Sequence, residues 1–587
     1  MRSARSTRTT PGVRGWFLAD PPDFRHRGGW LALAFLAMAI TLCARLFDIQ
    51  VLQHTALAER AAALHQKFIT IPALRGRILD SSGRVLVSNR TVYDVYADPS
   101  LIPLDTRAQV ARELAPILSS STSRVASLIS LPTRFVYLAK RAPQSVSDQL
   151  NALGVPGVVV VPSEQRVYEP SPVAGASFAA NLLGFVDGDG NGQYGIEGYY
   201  DSVLRGRDGH QSSVRDVAGN SITLSNDPQS VARNGSDLEL GLDSEVQYWA
   251  EQAIAQGVAN AGADSGTLIM MDTKTGVIRA WAQAPTYDAN SYWSSPIANF
   301  RDLAVANVYE PGSVQKVVTF AGGLNNHAIT PQYTFDEGPV RIDGATIWDW
   351  DHRGHGVITM QKVLDDSLND GAIKVSQLEG ANAFYSNMLA FGLGAPTGVD
   401  LAGEQNVPLP PQSGMSALDL AEAAFGQHVQ VTPIEMLAAI NAVANGGVWV
   451  QPHAVQAVID PATGRSAEVV PTTRRVISAT AAATLAQMMT GVVDDPGAEG
   501  SMAKIPAFKG EVSGKTGTAS VAVHGVYGNE LIVSFGGFLP TKDPRFTMLV
   551  VLNYPHEHHI DRFGATLAAP VWKQVAQVTI DQWRILP

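Results

Sequence analysis

Three short groups of residues follow one another along the second half of the chain: Ser313-Val-Gln-Lys316, Ser367-Leu-Asn369 and Lys515-Thr516-Gly517-Thr518. Each alone is a common pattern; in this order they describe a serine acyl-transfer site. A serine hydroxyl attacks only when a neighbouring base takes its proton. Lys316 qualifies once it is neutral, and bringing a lysine from ~10.4 to ~7 takes about 4–5 kcal/mol of desolvation or cationic pressure. Burial beside Lys515 supplies both. Ser367 is placed to relay a proton to a leaving amine, and Asn369 to hold a substrate amide. Lys515, Thr516 and Thr518 suit a carboxylate, while Gly517 lets a substrate backbone approach closely. The backbone amides of Ser313 and Thr518 are the candidate oxyanion donors. The competing readings are a capping serine with a surface lysine, a polar turn and a strand-edge turn, and only the ordered triple outweighs them.

Other patterns fail on spacing. Lys274-Thr-Gly276 precedes the nucleophile and fits a hairpin turn, and Ser501-Met-Ala-Lys504 lies too close to Lys515. Gly510-Glu-Val-Ser-Gly514-Lys-Thr is one residue short of a phosphate loop, which argues against nucleotide binding. Asp187, Asp189 and Asn191 resemble a calcium loop, but position twelve is Gly198 and Glu197 falls one short. His556, His558 and His559 could hold zinc, but adjacent side chains seldom converge on one metal. No metal and no cofactor is expected.

Elements must bring these residues together. Glu310-Pro-Gly312 followed by an apolar run puts Ser313 at a helix start and Lys316 one turn on. Residues 265–284 read as two strands around a turn at Gly276, and 531–539 and 546–553 as late strands. A last helix is expected over 566–583. Asp243 is a helix cap. Early and late strands around a helical middle make an α/β domain, expected over 236–587. Before it, 53–235 forms a second domain, with strands about a Ser82-Gly83 turn. Residues 46–66 read as a helix leading out of an apolar stretch.

That stretch, within 29–52, is uncharged from Gly28 to Ala44, with Trp30 and Arg45 at its ends. It is slightly short of the ~20 residues of a usual span. The tail 1–28 is arginine-rich, so the positive-inside rule keeps it cytoplasmic and sends the rest outward. A retained single-pass anchor is favoured over a cleaved signal. The net charge of −11 argues against nucleic acid as a partner. A single cysteine, Cys43, excludes a disulfide framework.

The ordered triple, the anchor, Arg75-Gly76 with Asp80 and Gly83, Gly195-Ile-Glu197, Glu310-Pro-Gly-Ser313, Phe425-Gly426 with Val431-Thr-Pro433, and Ala568-Ala-Pro-Val-Trp572 together resemble the class B penicillin-binding proteins. The resemblance implies a penicillin-binding transpeptidase (serine beta-lactamase-like) domain with an antiparallel sheet and a helical subdomain, on an elongated α+β pedestal. It implies a D,D-transpeptidase that cross-links peptidoglycan stem peptides through an acyl-enzyme on Ser313, and acylation of that serine by beta-lactams. It also implies a membrane-embedded glycosyltransferase and division proteins as partners. Lys-Thr-Gly-Thr and the Phe425–Pro433 segment look more like the septal division enzyme than the elongation type. A D,D-carboxypeptidase, a beta-lactamase or sensor, and a division scaffold with little catalysis are the other readings. Two positions depart from the family pattern: Leu368, where serine or alanine is usual, and His428, in place of a glycine.

Overall fold

Strand-like apolar runs with no polar alternation are expected where both faces of a sheet are covered, and the catalytic half is built that way. In the computed structural model, which describes residues 24–57, 66–215, 221–225, 231–523, 526–557 and 561–587, five strands form one antiparallel sheet. They are β1 (Ala263–Asp272), β2 (Ile278–Ala284), β3 (Ser513–Val523), β4 (Val526–Leu539) and β5 (Phe546–Pro555), in the order β2-β1-β5-β4-β3. The β1–β2 hairpin turns through Gly276, whose φ of +79° suits a residue without Cβ.

Four helices position the site: α1 (Ser244–Ala261), α2 (Lys316–Asn325), α3 (Asn369–Glu379) and α4 (Gly564–Trp583). Leu268, Met270 and Val550 join Val246 and Ile254 of α1 and Trp572 of α4 in one core; Ile269, Met271 and Val551 join Val317 and Phe320 of α2 in the other. The period of two along β1 thus feeds two cores. Asp243 caps α1 as expected, accepting from the amides of Glu245 and Val246, and its Oδ2 also accepts from Trp583 Nε1 at 2.8 Å. The last helix begins two residues earlier than the sequence pattern suggests and carries Pro570 inside it.

By internal contacts, residues 72–207 belong with 233–587 in one compact unit, and 1–71 with 208–232 form another. The physical reason is a shared sheet. Ile78–Leu79 pairs in parallel with Asp237–Leu240, which pairs with Val455–Ile459, while on the other side Val85–Ala97 carries both Val136–Ala142 and Val158–Tyr168. Glu197, fully buried, ties this region together by ion pairs to Arg75 and Arg166.

The smaller unit holds a helix over Phe24–Phe47, a π-helical turn over Asp48–Leu52 and a three-stranded sheet of Gln66–Ile71, Gly209–Arg215 and Ser221–Ser225. Gly29–Leu52 has a mean hydropathy of 2.0 and none of it is buried, so it is long and apolar enough to cross a membrane. The helix expected over 46–66 is interrupted: the π turn replaces its start, Gln66 already lies in a strand, and 58–65 fall outside the described residues.

Candidate active site

Ser313 sits half-buried in a single 3-10 turn, Gly312–Gln315, that runs into α2, and Lys316 opens that helix fully buried. The turn is held from behind. The Gly312 amide donates to Gly426 O at 3.0 Å, and a Cβ on Gly426 would lie 2.0 Å from Gly312 O. Only glycine fits there.

Ser367 and Asn369 arrive from the turn before α3. Ser367 adopts φ +58°, a left-handed backbone that costs a non-glycine residue roughly 1–2 kcal/mol. Its hydroxyl accepts from Lys515 Nζ at 2.7 Å. Lys316 Nζ lies 3.1 Å from Ser313 Oγ, 2.5 Å from Ser367 O, 2.9 Å from Asn369 Oδ1 and 3.4 Å from Ser367 Oγ. The Ser367 carbonyl and Asn369 Oδ1 can only accept, so they take the two N–H groups of a neutral amine. Its lone pair is then left to a hydroxyl hydrogen, from Ser313 or Ser367. This arrangement leaves the lone pair of a neutral Lys316 facing a hydroxyl.

Lys515 lies on β3, the edge strand of the sheet, also fully buried. Its Nζ reaches Thr516 Oγ1 at 3.1 Å, and that hydroxyl donates to Glu499 Oε2 at 2.8 Å. Gly517 packs where a Cβ would come within 2.3 Å of Ser534 Oγ. Half-buried Thr518 holds the amide of Gly564 at the start of α4 on its Oγ1, at 3.1 Å. The sequence-expected residues Ser313, Lys316, Ser367, Asn369, Lys515 and Thr516 are therefore joined in one hydrogen-bonded chain, with Gly517 and Thr518 following along β3.

Burial pushes Lys316 down to about 7, helped by the positive charge of Lys515; Glu499, Asp349 and Asp370 pull the other way. Burial also lowers Lys515, to about 8, against the opposing carboxylates of Glu499 and Asp365. The two lysines thus differ in the direction that lets one be neutral while the other is charged.

The carboxylates behind Lys316 are the part that sequence reasoning missed. Asp349 accepts from the amides of Asn369 and Asp370, fixing the start of α3. Burial and the nearby Glu337 carboxyl raise Asp349 to about 7, and burial with Asp349 raises Asp370 to about 8. In Glu337 burial is outweighed by hydrogen bonds from Asp349, the His355 backbone and Asp370, which lower it. Three carboxyl groups in mutual reach cannot all ionise, so they share protons. The signals available were Asp370 next to Asn369, the Trp348-Asp349-Trp350-Asp351 cluster and Glu499 shortly before Lys515.

Glu337, Asp349 and His355 also bring one ligand atom each within 4.8 Å of one another, as Asp419, Glu422 and His428 do nearer the surface. Metal-ligand spacing was expected at none of these residues. His556 belongs to neither group and contacts Asp264 at 3.1 Å, while His558 and His559 lie outside the described residues. Asp187, from the calcium-like sequence, spends its oxygens on the amides of Asp189 and Asn191, as a plain turn does.

The two departures have structural accounts. Leu368 is buried in the hydrophobic core and turned away from solvent. His428 takes the glycine-like φ of +59°, with its ring 3.7 Å from Asp419 and 4.0 Å from Glu422, and its amide donates to Glu310.

A buried lysine against a half-buried serine at a helix start, with a second lysine on a sheet edge, defines a serine acyl-transfer enzyme. The chain belongs to the penicillin-binding proteins: residues 266–577 match the penicillin binding protein transpeptidase domain and 70–240 the penicillin-binding protein dimerisation domain. Stage V sporulation protein D of Bacillus subtilis is 30% identical over 527 residues, covering 87% of this chain and 79% of that protein. Peptidoglycan D,D-transpeptidase FtsI of Escherichia coli is 28% identical over 549 residues, covering 92% and 88%. Penicillin-binding protein 3 of Mycobacterium tuberculosis, solved in complex with aztreonam, superposes with a TM-score of 0.67 at 26% identity, covering 88% of this chain and 98% of that one.

Proposed function

We propose that this protein is a septal-type peptidoglycan D,D-transpeptidase in which Ser313 is the nucleophile and neutral Lys316 its base. Ser313 Oγ passes its proton to Lys316 and attacks the carbonyl carbon of the penultimate D-alanine of a stem peptide. The Ser313 and Thr518 amides hold the oxyanion. Ser367, between the two lysines, relays the proton to the departing D-alanine amine. The acyl group then passes to an amine of a neighbouring stem, which gives up its own proton along the same route. Asn369 holds the substrate amide, and Lys515 with Thr516 and Thr518 holds the terminal carboxylate. Beta-lactams acylate Ser313 in the same way.

The observation that carries this reading is Lys316 Nζ, fully buried and 3.1 Å from Ser313 Oγ. The septal role is supported by the likeness to FtsI. The family matches, ending at 240 and starting at 266, support a functional boundary near 235, even though the sheet runs across it. The apolar helix anchors the protein in the cell membrane; its arginine-rich leading segment keeps the N-terminus cytoplasmic and the catalytic domain outside. A membrane-embedded glycosyltransferase supplies the glycan strands, and other division proteins set the place.

The test is to incubate the full-length protein in detergent with a fluorescent penicillin, denature it and map the label. Label on the peptide containing Ser313, lost in Ser313→Ala, is expected. Label elsewhere, or undiminished label in Ser313→Ala, sinks the assignment.

A further inference from the structure

In the proposed reaction the oxyanion sits between two amides that belong to different elements. The Ser313 amide lies in the 3-10 turn Gly312–Gln315 and the Thr518 amide on β3. Among the described residues no hydrogen bond runs directly from that turn to β3; the two meet by packing. A Cβ on Gly312 would lie 3.0 Å from Thr518 O, and one on Gly517 would lie 2.8 Å from Val314 Cγ2 and 3.0 Å from Pro311 O. Such packing resists closer approach steeply and separation only weakly.

Glu310, three residues before Ser313, supplies a directional tie. Its Oε1 accepts from the His428 amide at 3.1 Å, and the Tyr527 hydroxyl donates to Oε2 at 3.2 Å and to Oε1 at 3.3 Å. Tyr527 lies on β4 opposite Ala522, in the hairpin that carries Thr518. His428 belongs to the segment that holds the Gly312 amide on Gly426 O and pairs Val431 with Tyr309. The Glu310 carboxylate therefore joins three elements around Ser313: its own segment, residues 426–431 behind it and the β3–β4 hairpin beside it. Burial and the Glu310 charge push the Tyr527 hydroxyl up, so it stays a donor across the working pH range. Both Glu310 oxygens are taken up by these donors, and Lys316 is already the base beside Ser313. The part left to Glu310 is positional.

We propose that Glu310 and Tyr527 are positioning residues that clasp the nucleophile turn to the β3–β4 hairpin and so fix the span between the Ser313 and Thr518 amides. The proposal rests on the reading of those two amides as the oxyanion donors. Such donors act on charge that develops in the transition state, and removing one costs ~10²–10³ in rate. A slackened span therefore slows the chemical step and leaves ground-state binding alone.

The test is single-turnover acylation of full-length protein in detergent by a fluorescent penicillin, with drug concentration varied to separate the binding constant from the acylation rate constant. Tyr527→Phe keeps the ring and removes only the hydroxyl, at a position 40% exposed. Its acylation rate constant should fall by about fivefold or more, with its binding constant within about twofold of wild type. Hydrolysis of its acyl-enzyme should slow by a similar factor, since both steps pass through the same oxyanion. The pH values at which acylation rises and falls should not move, because neither lysine is touched. Glu310→Gln keeps an oxygen that can accept from both donors and should recover most of the rate lost in Glu310→Ala. Each variant is required to keep the wild-type denaturation midpoint, and Tyr527→Phe decides alone if Glu310→Ala does not fold. An unchanged acylation rate constant in Tyr527→Phe overturns the proposal, as does a loss confined to the binding constant, which would make Tyr527 a ligand contact. Glu310→Gln as slow as Glu310→Ala overturns it too, because the charge rather than the clasp would then matter. Failure of wild-type Ser313 to take label sinks the acyl-transfer reading itself, whereas normal labelling with an unaffected Tyr527→Phe removes the clasp alone.

Discussion

Glu499→Gln isolates the electrostatics of the site while leaving its hydrogen bond in place, because a glutamine oxygen can still accept from Thr516 Oγ1. Lys515 Nζ and Glu499 Oε2 are bridged by that hydroxyl at 3.1 and 2.8 Å, which puts the charges no more than about 6 Å apart. At an effective dielectric constant near 20 such a pair is worth about 3 kcal/mol, or about 2 pKa units. Removing the negative charge disfavours the ammonium form of both lysines, so both titrations move to lower pH. In the wild type, acylation of Ser313 by a penicillin should rise with pH through about 7 as Lys316 loses its proton, and fall through about 8 as Lys515 loses its own. These are values of the coupled pair. The depressed Lys316 matters greatly: at pH 7.4 a lysine at 7 is about 70% neutral, against less than about 0.1% at 10.5. In the variant the alkaline limb should move from about 8 toward ~6, so that acylation at pH 8 drops by about fifty-fold. The Lys316 limb should move less, since Glu499 reaches it from farther off. The assay is stopped-flow acylation by a fluorescent penicillin at pH 5–9 under single-turnover conditions. A profile in the folded variant that is unchanged, or shifted to alkaline pH, refutes the reasoning.

Three further outcomes follow from the geometry. Glu197→Gln leaves Arg75 and Arg166 buried and short of their counter-charge, which should cost ~3–5 kcal/mol of stability, read from the denaturation midpoint. Gly426→Ala pushes a methyl group against Gly312 O and displaces the turn carrying Ser313. Acylation should slow at least tenfold, since ~1 Å of misplacement costs ~100-fold, and circular dichroism should stay native. Asp243→Ala removes the cap of α1 and the acceptor of Trp583 Nε1; stability should fall by about 1–2 kcal/mol with the acylation rate unchanged.

Local physics was what the sequence made legible. Asp243 capping, the Gly276 turn and the apolar runs of β1, β4 and β5 depend on neighbours within a few positions, and all were readable. That the three ordered groups belong together was legible as well, because each is a short segment whose polar side chains the fold joins by hydrogen bonds. Ser367 shows the limit. Its left-handed backbone accompanies the contacts of its carbonyl and hydroxyl with Lys316, and serine as a residue type gives no sign of it. The proton-sharing of Glu337, Asp349 and Asp370 depends on segments that only the fold brings together. The same holds for the division of the chain: a parallel pairing of two residues, Ile78–Leu79, with Asp237–Leu240 is too small a signal for periodicity to detect, yet it joins 72–207 to the catalytic half.

The sheet order also sets a timetable for making the enzyme. β1 pairs with β2 at once as a hairpin, but its other neighbour is β5, which matches Ala263 with Pro555 and Asp272 with Phe546. At synthesis rates of ~5–20 residues per second, β1 waits about 15–60 s with one edge unsatisfied. Ser313 emerges early in that wait and Lys515 late, but β3 joins β1 only through β4 and β5, so Lys515 cannot be seated until β5 is made. A ribosome stalled before β5 therefore holds an open, sticky sheet edge and no working active site, so truncated chains should aggregate or be degraded rather than act as partial enzymes.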